Sequence, residues 1–136
     1  MKWFVHICLA LALLTVGANA AHAETYQLST HILDITRGKP APGVDIVLFK
    51  MDQGKDTWIK VADGRTDKNG RVANFLPGKD NAGIYKLRFE IAPYFKAHKE
   101  PSLYPFMEIV FAIEGTGHYH IPLTMTANGY STYRGN

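Results

Sequence analysis

The feature that most constrains the fold of this chain is a two-residue alternation of apolar and polar side chains. In residues 85–91 every second side chain is apolar and the side chains between them are charged, which predicts a strand with one buried face. Residues 107–113 show the same alternation but are more apolar on both faces, since Val110 and Ala112 accompany Glu108 on the second face. Residues 44–48 and 119–125 add two further strand patterns. Strand pairing is therefore expected to dominate the fold.

Turn-forming sequences separate these strand patterns. Residues 37–43 are rich in Gly and Pro, and Asp67-Lys68-Asn69-Gly70 is a tight-turn sequence because Asn and Gly tolerate positive φ angles. Residues 93–99 are the one stretch with helical spacing, and Pro93 is acceptable in a first helical turn. The sequence therefore predicts an all-β fold, a sandwich of seven or eight short strands with one short helix.

The N-terminal segment has the layout of a secretory signal peptide. Residues 4–16 form an apolar run, and Ala21-His22-Ala23 matches a cleavage signature, with Ala18-Asn19-Ala20 as a second candidate. A membrane anchor needs about 20 apolar residues, which is more than this run provides. We predict that residues 1–23 are removed as a signal peptide and that residues 24–136 form a single domain.

Composition argues against several functional classes. The single cysteine of the chain, Cys8, lies in the predicted leader, so neither a disulfide framework nor a catalytic cysteine is expected after cleavage. The formal net charge is +3, and the basic residues are scattered among acidic ones. That distribution lacks the basic stripe of a nucleic-acid-binding surface. We therefore expect no nucleic-acid partner, and no membrane association once the leader is removed.

Four histidines lie outside the leader, and each allows an ordinary and a functional interpretation. His98 lies beside two lysines in the helical stretch, so an exposed side chain is the simpler interpretation. His31 lies in an edge-like first strand, where a lone histidine is more often structural or exposed than catalytic. His118 and His120 are two residues apart on a strand and so point to one face. There they can ligate a metal, relay a proton or simply be exposed.

Two arginines can likewise be interpreted either as ordinary exposed residues or as functional ones. Arg71 follows the Asp67–Gly70 turn directly and is either an exposed residue at a strand start or a fixed guanidinium that binds an anionic or carbonyl-rich substrate. Arg134 lies in a tail dense in aromatic and cationic groups, which favours a packed and functional end. No carboxylate pair suggests an acid–base dyad, and no serine lies in a nucleophile elbow. An enzyme would therefore use His and Arg with an activated water.

Five short stretches together carry a resemblance to a known family. They are Ser29-Thr30-His31-Ile32-Leu33-Asp34, Gly38-Lys39-Pro40-Ala41, Thr66-Asp67-Lys68-Asn69-Gly70-Arg71, His118-Tyr119-His120-Ile121-Pro122-Leu123 and Tyr133-Arg134-Gly135. The chain resembles the transthyretin-like 5-hydroxyisourate hydrolases, specifically an exported bacterial member. The second and third stretches are weak signals, since many prealbumin-like structural modules share them. The terminal Tyr-Arg-Gly with the upstream His-x-His-x-Pro-Leu is strong.

The resemblance implies a fold, an assembly and a reaction. It implies a two-sheet, prealbumin-like (transthyretin-type) sandwich and a homotetramer with active sites in a channel at the dimer–dimer interface. It implies hydrolysis of 5-hydroxyisourate to 2-oxo-4-hydroxy-4-carboxy-5-ureidoimidazoline in urate and purine catabolism, without a cofactor or a metal. The implied catalytic residues are His31, Arg71 and His120, and the implied substrate-binding residues are His118, Tyr133, Arg134, Gly135 and Asn136.

The last residue departs from the family pattern. The family tail ends in Tyr-Arg-Gly-Ser, whereas this chain has Asn136 in the final position. A serine hydroxyl can relay a proton, and an asparagine amide can form hydrogen bonds but relays less readily. The resemblance to an exported bacterial protein also predicts a periplasmic location.

Three other functions are compatible with the sequence. A transthyretin-type carrier would bind a small aromatic ligand without chemistry, but it would have no use for His31, His120 and the tail together. A histidine cluster could instead hold zinc with one open coordination position. A purely structural sandwich module would also show the general turn pattern.

Overall fold

The computed structural model describes residues 24–136, so the predicted signal peptide at residues 1–23 lies outside the described residues. In this part of the chain, no helix is long and apolar enough to cross a membrane. The elements in chain order are β1 (Tyr26–Asp34), β2 (Lys39–Pro40), β3 (Asp45–Asp52), β4 (Thr57–Arg65), β5 (Arg71–Pro77), β6 (Gly83–Glu90), α1 (Ala92–Ala97), β7 (Met107–Ile113), β8 (Tyr119–Thr126) and β9 (Gly129–Thr132).

The strands form two sheets. The second sheet has the order β4–β3–β6–β7, with every neighbouring pair antiparallel. In the first sheet β1 pairs in parallel with β8, β8 pairs with β9, and β1 also pairs antiparallel with β2 and β5. The predicted sandwich of two sheets with one short helix is therefore confirmed. The expectation that His31 lies in an edge-like strand is wrong, because β1 has neighbours on both sides.

The hydrophobic core lies between the two sheets and follows from the alternation in the sequence. In β6 the side chains of Tyr85, Leu87 and Phe89 are buried, whereas the charged residues between them are partly exposed. Buried apolar side chains of β1, β3 and β8 belong to the same core cluster. Burying a side chain of this size contributes about 1.5–3 kcal/mol. The buried partners from these three strands include Leu28, Ile32, Ile46, Leu48, Ile121, Leu123 and Met125.

A buried carboxylate joins the end of β1 to the helix. Asp34 accepts hydrogen bonds from the Arg37 guanidinium at 2.6 Å and from the Tyr94 hydroxyl at 2.7 Å. Burial alone would raise the pKa of Asp34, but the hydrogen bonds from Tyr94 and Arg37 outweigh it and hold that pKa below its usual value. The helix predicted over residues 93–99 ends at Ala97, because Lys99 takes a positive φ of 54°.

The turn before β5 is built by its own side chains and packs against the loop before β3. The Asp67 carboxylate accepts hydrogen bonds from the backbone N–H groups of Asn69 and Arg71. Gly70 has a φ of +72°, and a Cβ atom there would lie 2.7 Å from the carbonyl oxygen of Ile32. Glycine is therefore required for this turn to reach β1, and the turn in turn sets where Arg71 begins its strand.

We expect Gly70→Ala to destabilise the fold more than a matched substitution at Gly38. Gly38 has a similar φ of +64° but no atom within 4 Å of an added Cβ, so Gly38→Ala isolates the cost of the left-handed backbone. That cost is roughly 1–2 kcal/mol. Gly70→Ala adds a clash with backbone, so its loss should clearly exceed that of Gly38→Ala in urea unfolding at equal protein concentration. Equal losses would show that the turn does not need this close approach.

Candidate active site

Strand register brings the predicted site residues onto one face of the first sheet. His31 of β1 pairs with Arg71 of β5, and Ser29 of β1 pairs with His120 of β8. Leu28 and Thr30 are buried, so Ser29 and His31, which alternate with them, point away from the core. The pairing of β1 with β5 and with β8 thus brings together residues that are far apart in the sequence.

A pocket of about 440 Å³ lies on this face. The predicted catalytic residues and the C-terminal tail line it together, whereas His118 lies beside it and His98 is exposed at the end of α1. The structure therefore clusters seven of the eight predicted site residues in one pocket. The lining residues are His31, Arg71, His120, Tyr133, Arg134, Gly135 and Asn136.

The C-terminal tail is held against β8. The backbone N–H of Gly135 donates a hydrogen bond of 2.8 Å to the carbonyl oxygen of His120. A Cβ atom at position 135 would lie 2.5 Å from Cδ2 of His120, so glycine allows the tail to touch the imidazole ring. The Arg134 guanidinium lies 4.2 Å from the centre of the Tyr119 ring, in a cation–π contact. Tyr133 and Asn136 are exposed.

A chain of hydrogen bonds lies behind the pocket. Nδ1 of His118 is 2.9 Å from the carbonyl oxygen of Tyr26, and Nε2 of the same ring is 2.9 Å from Oγ of Ser29. Oγ of Ser29 is in turn 2.8 Å from Nδ1 of His120. Within residues 24–136, no protein group forms a hydrogen bond with Nε2 of His120 or with the ring of His31. These nitrogen atoms are available to a bound molecule.

Both pocket histidines are biased toward the neutral form. Burial lowers the pKa of His31 below its ordinary value, and the positive charge of Arg71 lowers it further, whereas Asp67 acts in the opposite direction. Burial also lowers the pKa of His120, with smaller contributions from Arg71, His31 and His118. A neutral imidazole has a lone pair that can accept a proton, so both rings are suited to act as bases at neutral pH.

Arg71 and Arg134 are the two arginines that line the pocket, and Arg71 is the one next to His31. Among the described residues its guanidinium forms no ion pair, unlike Arg37, Arg65 and Arg88, which each bind a carboxylate. An arginine without a carboxylate partner can bind an anion or a carbonyl oxygen in two-pronged geometry. The pocket therefore combines bases with a group that stabilises negative charge.

The three imidazoles near the pocket do not converge on a common point. Within residues 24–136, no group of three or more His, Cys, Asp or Glu side chains is placed to hold a metal ion. Both ring nitrogens of His118 already have protein partners.

One residue of this arrangement was missed by sequence reasoning. Ser29 lies in no nucleophile elbow, yet it contacts both histidines of the His-x-His motif. A usable signal was present, since Ser29 lies two residues before His31 and so shares its strand face. The partner of that face, β8, was not predictable from local pattern.

Comparisons with known proteins agree with this architecture. The profile of the HIUase/Transthyretin family matches residues 28–135. A 5-hydroxyisourate hydrolase of Salmonella typhimurium is 40% identical over 139 residues, covering 100% of both chains. The solved structure of Klebsiella pneumoniae 5-hydroxyisourate hydrolase matches with a TM-score of 0.70 and 34% identity, over 84% of this chain and 100% of that one.

The sandwich is shared with a binding protein as well. Sea bream transthyretin in complex with thyroxine matches with a TM-score of 0.73 and 25% identity, over 80% of this chain and 94% of that chain. The resemblance inferred from the sequence motifs is confirmed by the family match and by these relatives. With the profile covering nearly all of the described residues, the chain belongs to the HIUase/Transthyretin family.

Proposed function

We propose that this protein hydrolyses 5-hydroxyisourate to 2-oxo-4-hydroxy-4-carboxy-5-ureidoimidazoline in urate catabolism. The observation that carries the proposal is the single pocket that unites His31, Arg71, His120 and the tail. Relatives at 40% identity over the full chain are named for this activity. The pocket offers bases and a guanidinium to a polar, carbonyl-rich ring, which is the chemistry that opening a cyclic amide requires.

The reaction follows from the two neutral imidazoles. A water held between His31 and His120 attacks a ring carbonyl carbon, and an imidazole takes the proton that the water loses. The carbon–nitrogen bond of the ring then breaks, and the imidazolium returns the proton to the departing nitrogen. Such proton transfer contributes about 10²–10⁴-fold to the rate.

The guanidinium and the tail bind the substrate and stabilise its charge. Arg71 pairs with His31 across the two strands. In this proposal its guanidinium stabilises the oxygen that becomes negative when water adds to the carbonyl. Arg134 and Gly135 close one side of the pocket through their contacts with Tyr119 and His120. Asn136 supplies an amide in the position where the family has a serine hydroxyl.

We also propose a homotetramer and a periplasmic location. Within residues 24–136, β7 pairs with β6 and β9 pairs with β8, which leaves each strand with one free edge. Val110 of β7 is 58% exposed and Tyr130 of β9 is 38% exposed. Apolar free edges of this kind favour association with another chain. The apolar run and the cleavage signature of residues 1–23 support export.

The activity test uses substrate made in place. Urate oxidase generates 5-hydroxyisourate, and its absorbance decay is followed with and without residues 24–136 of this protein. We expect decay clearly faster than the spontaneous rate, because general-base catalysis alone contributes about 10²–10⁴-fold. If micromolar protein leaves the decay at the spontaneous rate, the hydrolase proposal fails and a ligand carrier becomes the better description.

Substitutions test the residue assignments. His31→Ala, His120→Ala and Arg71→Ala should each lower kcat/KM by about 10²-fold or more, since each removes a base or an oxyanion partner. Deleting residues 133–136 should do the same. His98→Ala and Arg65→Ala are matched controls, because His98 is exposed just after α1 and Arg65 pairs with Asp45 on the other sheet. Wild-type rates in a folded site variant would remove that residue from the mechanism.

The pH dependence tests the charge state of the bases. The pKa values of His31 and His120 should both lie below about 6.5, the ordinary imidazole value, so activity should persist until the pH falls below that value. Arg71→Gln removes a nearby cation and should raise both titration midpoints, measured by NMR of the imidazole protons. Arg65→Gln should leave them unchanged. Midpoints at or above 6.5, or insensitive to Arg71→Gln, would contradict the electrostatic assignment.

One experiment tests export and assembly together. The full chain is expressed in a Gram-negative host, the periplasmic fraction is purified, and its mass is measured under native and denaturing conditions. We expect a subunit that begins at Glu24 and an assembly of four subunits. An intact leader in the cytoplasmic fraction would contradict the localisation, and a monomer or dimer at micromolar concentration would contradict the tetramer.

A further inference from the structure

We infer that Ser29 and His118 are positioning residues that fix the tautomer of His120, so that its Nε2 lone pair faces the pocket. This inference rests on the proposed function and adds two residues to it. It starts from the hydrogen-bond chain behind the pocket, whose four members are the Tyr26 carbonyl, His118, Ser29 and His120.

The Tyr26 carbonyl determines which atoms donate and which accept along this series of hydrogen bonds. A backbone carbonyl oxygen only accepts hydrogen bonds, so Nδ1 of His118 must carry a proton to meet the Tyr26 oxygen at 2.9 Å. In the neutral ring the other nitrogen, Nε2, is then a lone-pair acceptor. It therefore receives the hydroxyl proton of Ser29, whose Oγ is 2.9 Å away.

The donor role of Ser29 toward His118 also decides which nitrogen of His120 carries a proton. With its one proton committed to His118, Ser29 can meet Nδ1 of His120 at 2.8 Å only as an acceptor. Nδ1 of His120 therefore carries the proton of the neutral ring, and Nε2 carries the lone pair. Within residues 24–136 that nitrogen has no hydrogen-bond partner, and the ring lines the pocket.

The arrangement has a direct chemical consequence. A general base works only in the tautomer whose lone pair faces the proton it removes. When Nε2 of His120 takes a proton from water, Nδ1–H keeps its bond to Ser29, so the imidazolium stays oriented while it waits to return that proton. Ser29 and His118 thus act on the reaction through His120, without touching the substrate.

The test reads the tautomers directly. In ¹⁵N-labelled protein at pH 8, where imidazoles are neutral, long-range ¹H–¹⁵N spectra should show protonated Nδ1 in both His118 and His120. Ser29→Ala should give His120 a clear Nε2–H population and lower kcat by about tenfold or more, with KM little changed because Ser29 does not line the pocket. Ser29→Thr keeps a hydroxyl and should restore both the tautomer and the rate.

Each alternative outcome is decisive. An Nε2–H tautomer of His120 in the unsubstituted protein would overturn the inference, and so would a Ser29→Ala variant with unchanged tautomer and rate. The spectra do not depend on turnover. If the unsubstituted protein shows the expected tautomers but no hydrolysis, the hydrolase function fails while the positioning of His120 is supported.

Discussion

The site depends on the register of β1 between its two neighbours. Antiparallel pairing with β5 places Arg71 opposite His31, and parallel pairing with β8 places His120 opposite Ser29. A shift of one residue in either pairing would turn these side chains into the core and bring apolar ones to the surface. The buried Leu28 and Ile32 oppose such a shift, because they would lose their place between the sheets. Core packing therefore positions the site.

The charge of the pocket depends in part on Arg71, which forms no ion pair with a carboxylate among the described residues. Elsewhere in the described chain arginines are neutralised by nearby acids, as with Arg37 between Asp34 and Glu100. Near the pocket, the Asp67 carboxylate accepts hydrogen bonds from backbone N–H groups of its own turn and forms no ion pair with the Arg71 guanidinium. Burial is the main reason why the pKa values of His31 and His120 are lowered, and the charge of Arg71 adds to it, so both effects favour the neutral imidazoles that a base requires.

Sequence patterns predicted the strands and turns that depend on neighbouring residues along the chain. The strand at residues 85–91 shows its alternation because only one of its faces is buried, and the Asp67–Gly70 turn is encoded by its own side chains. The interior position of β1 could not be predicted, because its parallel partner lies 91 residues further along the chain from Ser29 to His120. For the same reason, the contacts of Ser29 with His118 and His120 could not be predicted. The grouping of His31, Arg71 and His120 came from family resemblance, and their catalytic roles stay predictions.

The contact between Gly135 and the His120 ring has a consequence for which substitutions the tail can accept. Position 135 has no room for a methyl group, so any mutation there must displace either the tail or the imidazole. The neighbouring position 136 is exposed and free of that restriction. A side chain at position 135 therefore costs packing against His120 that a different side chain at position 136 does not.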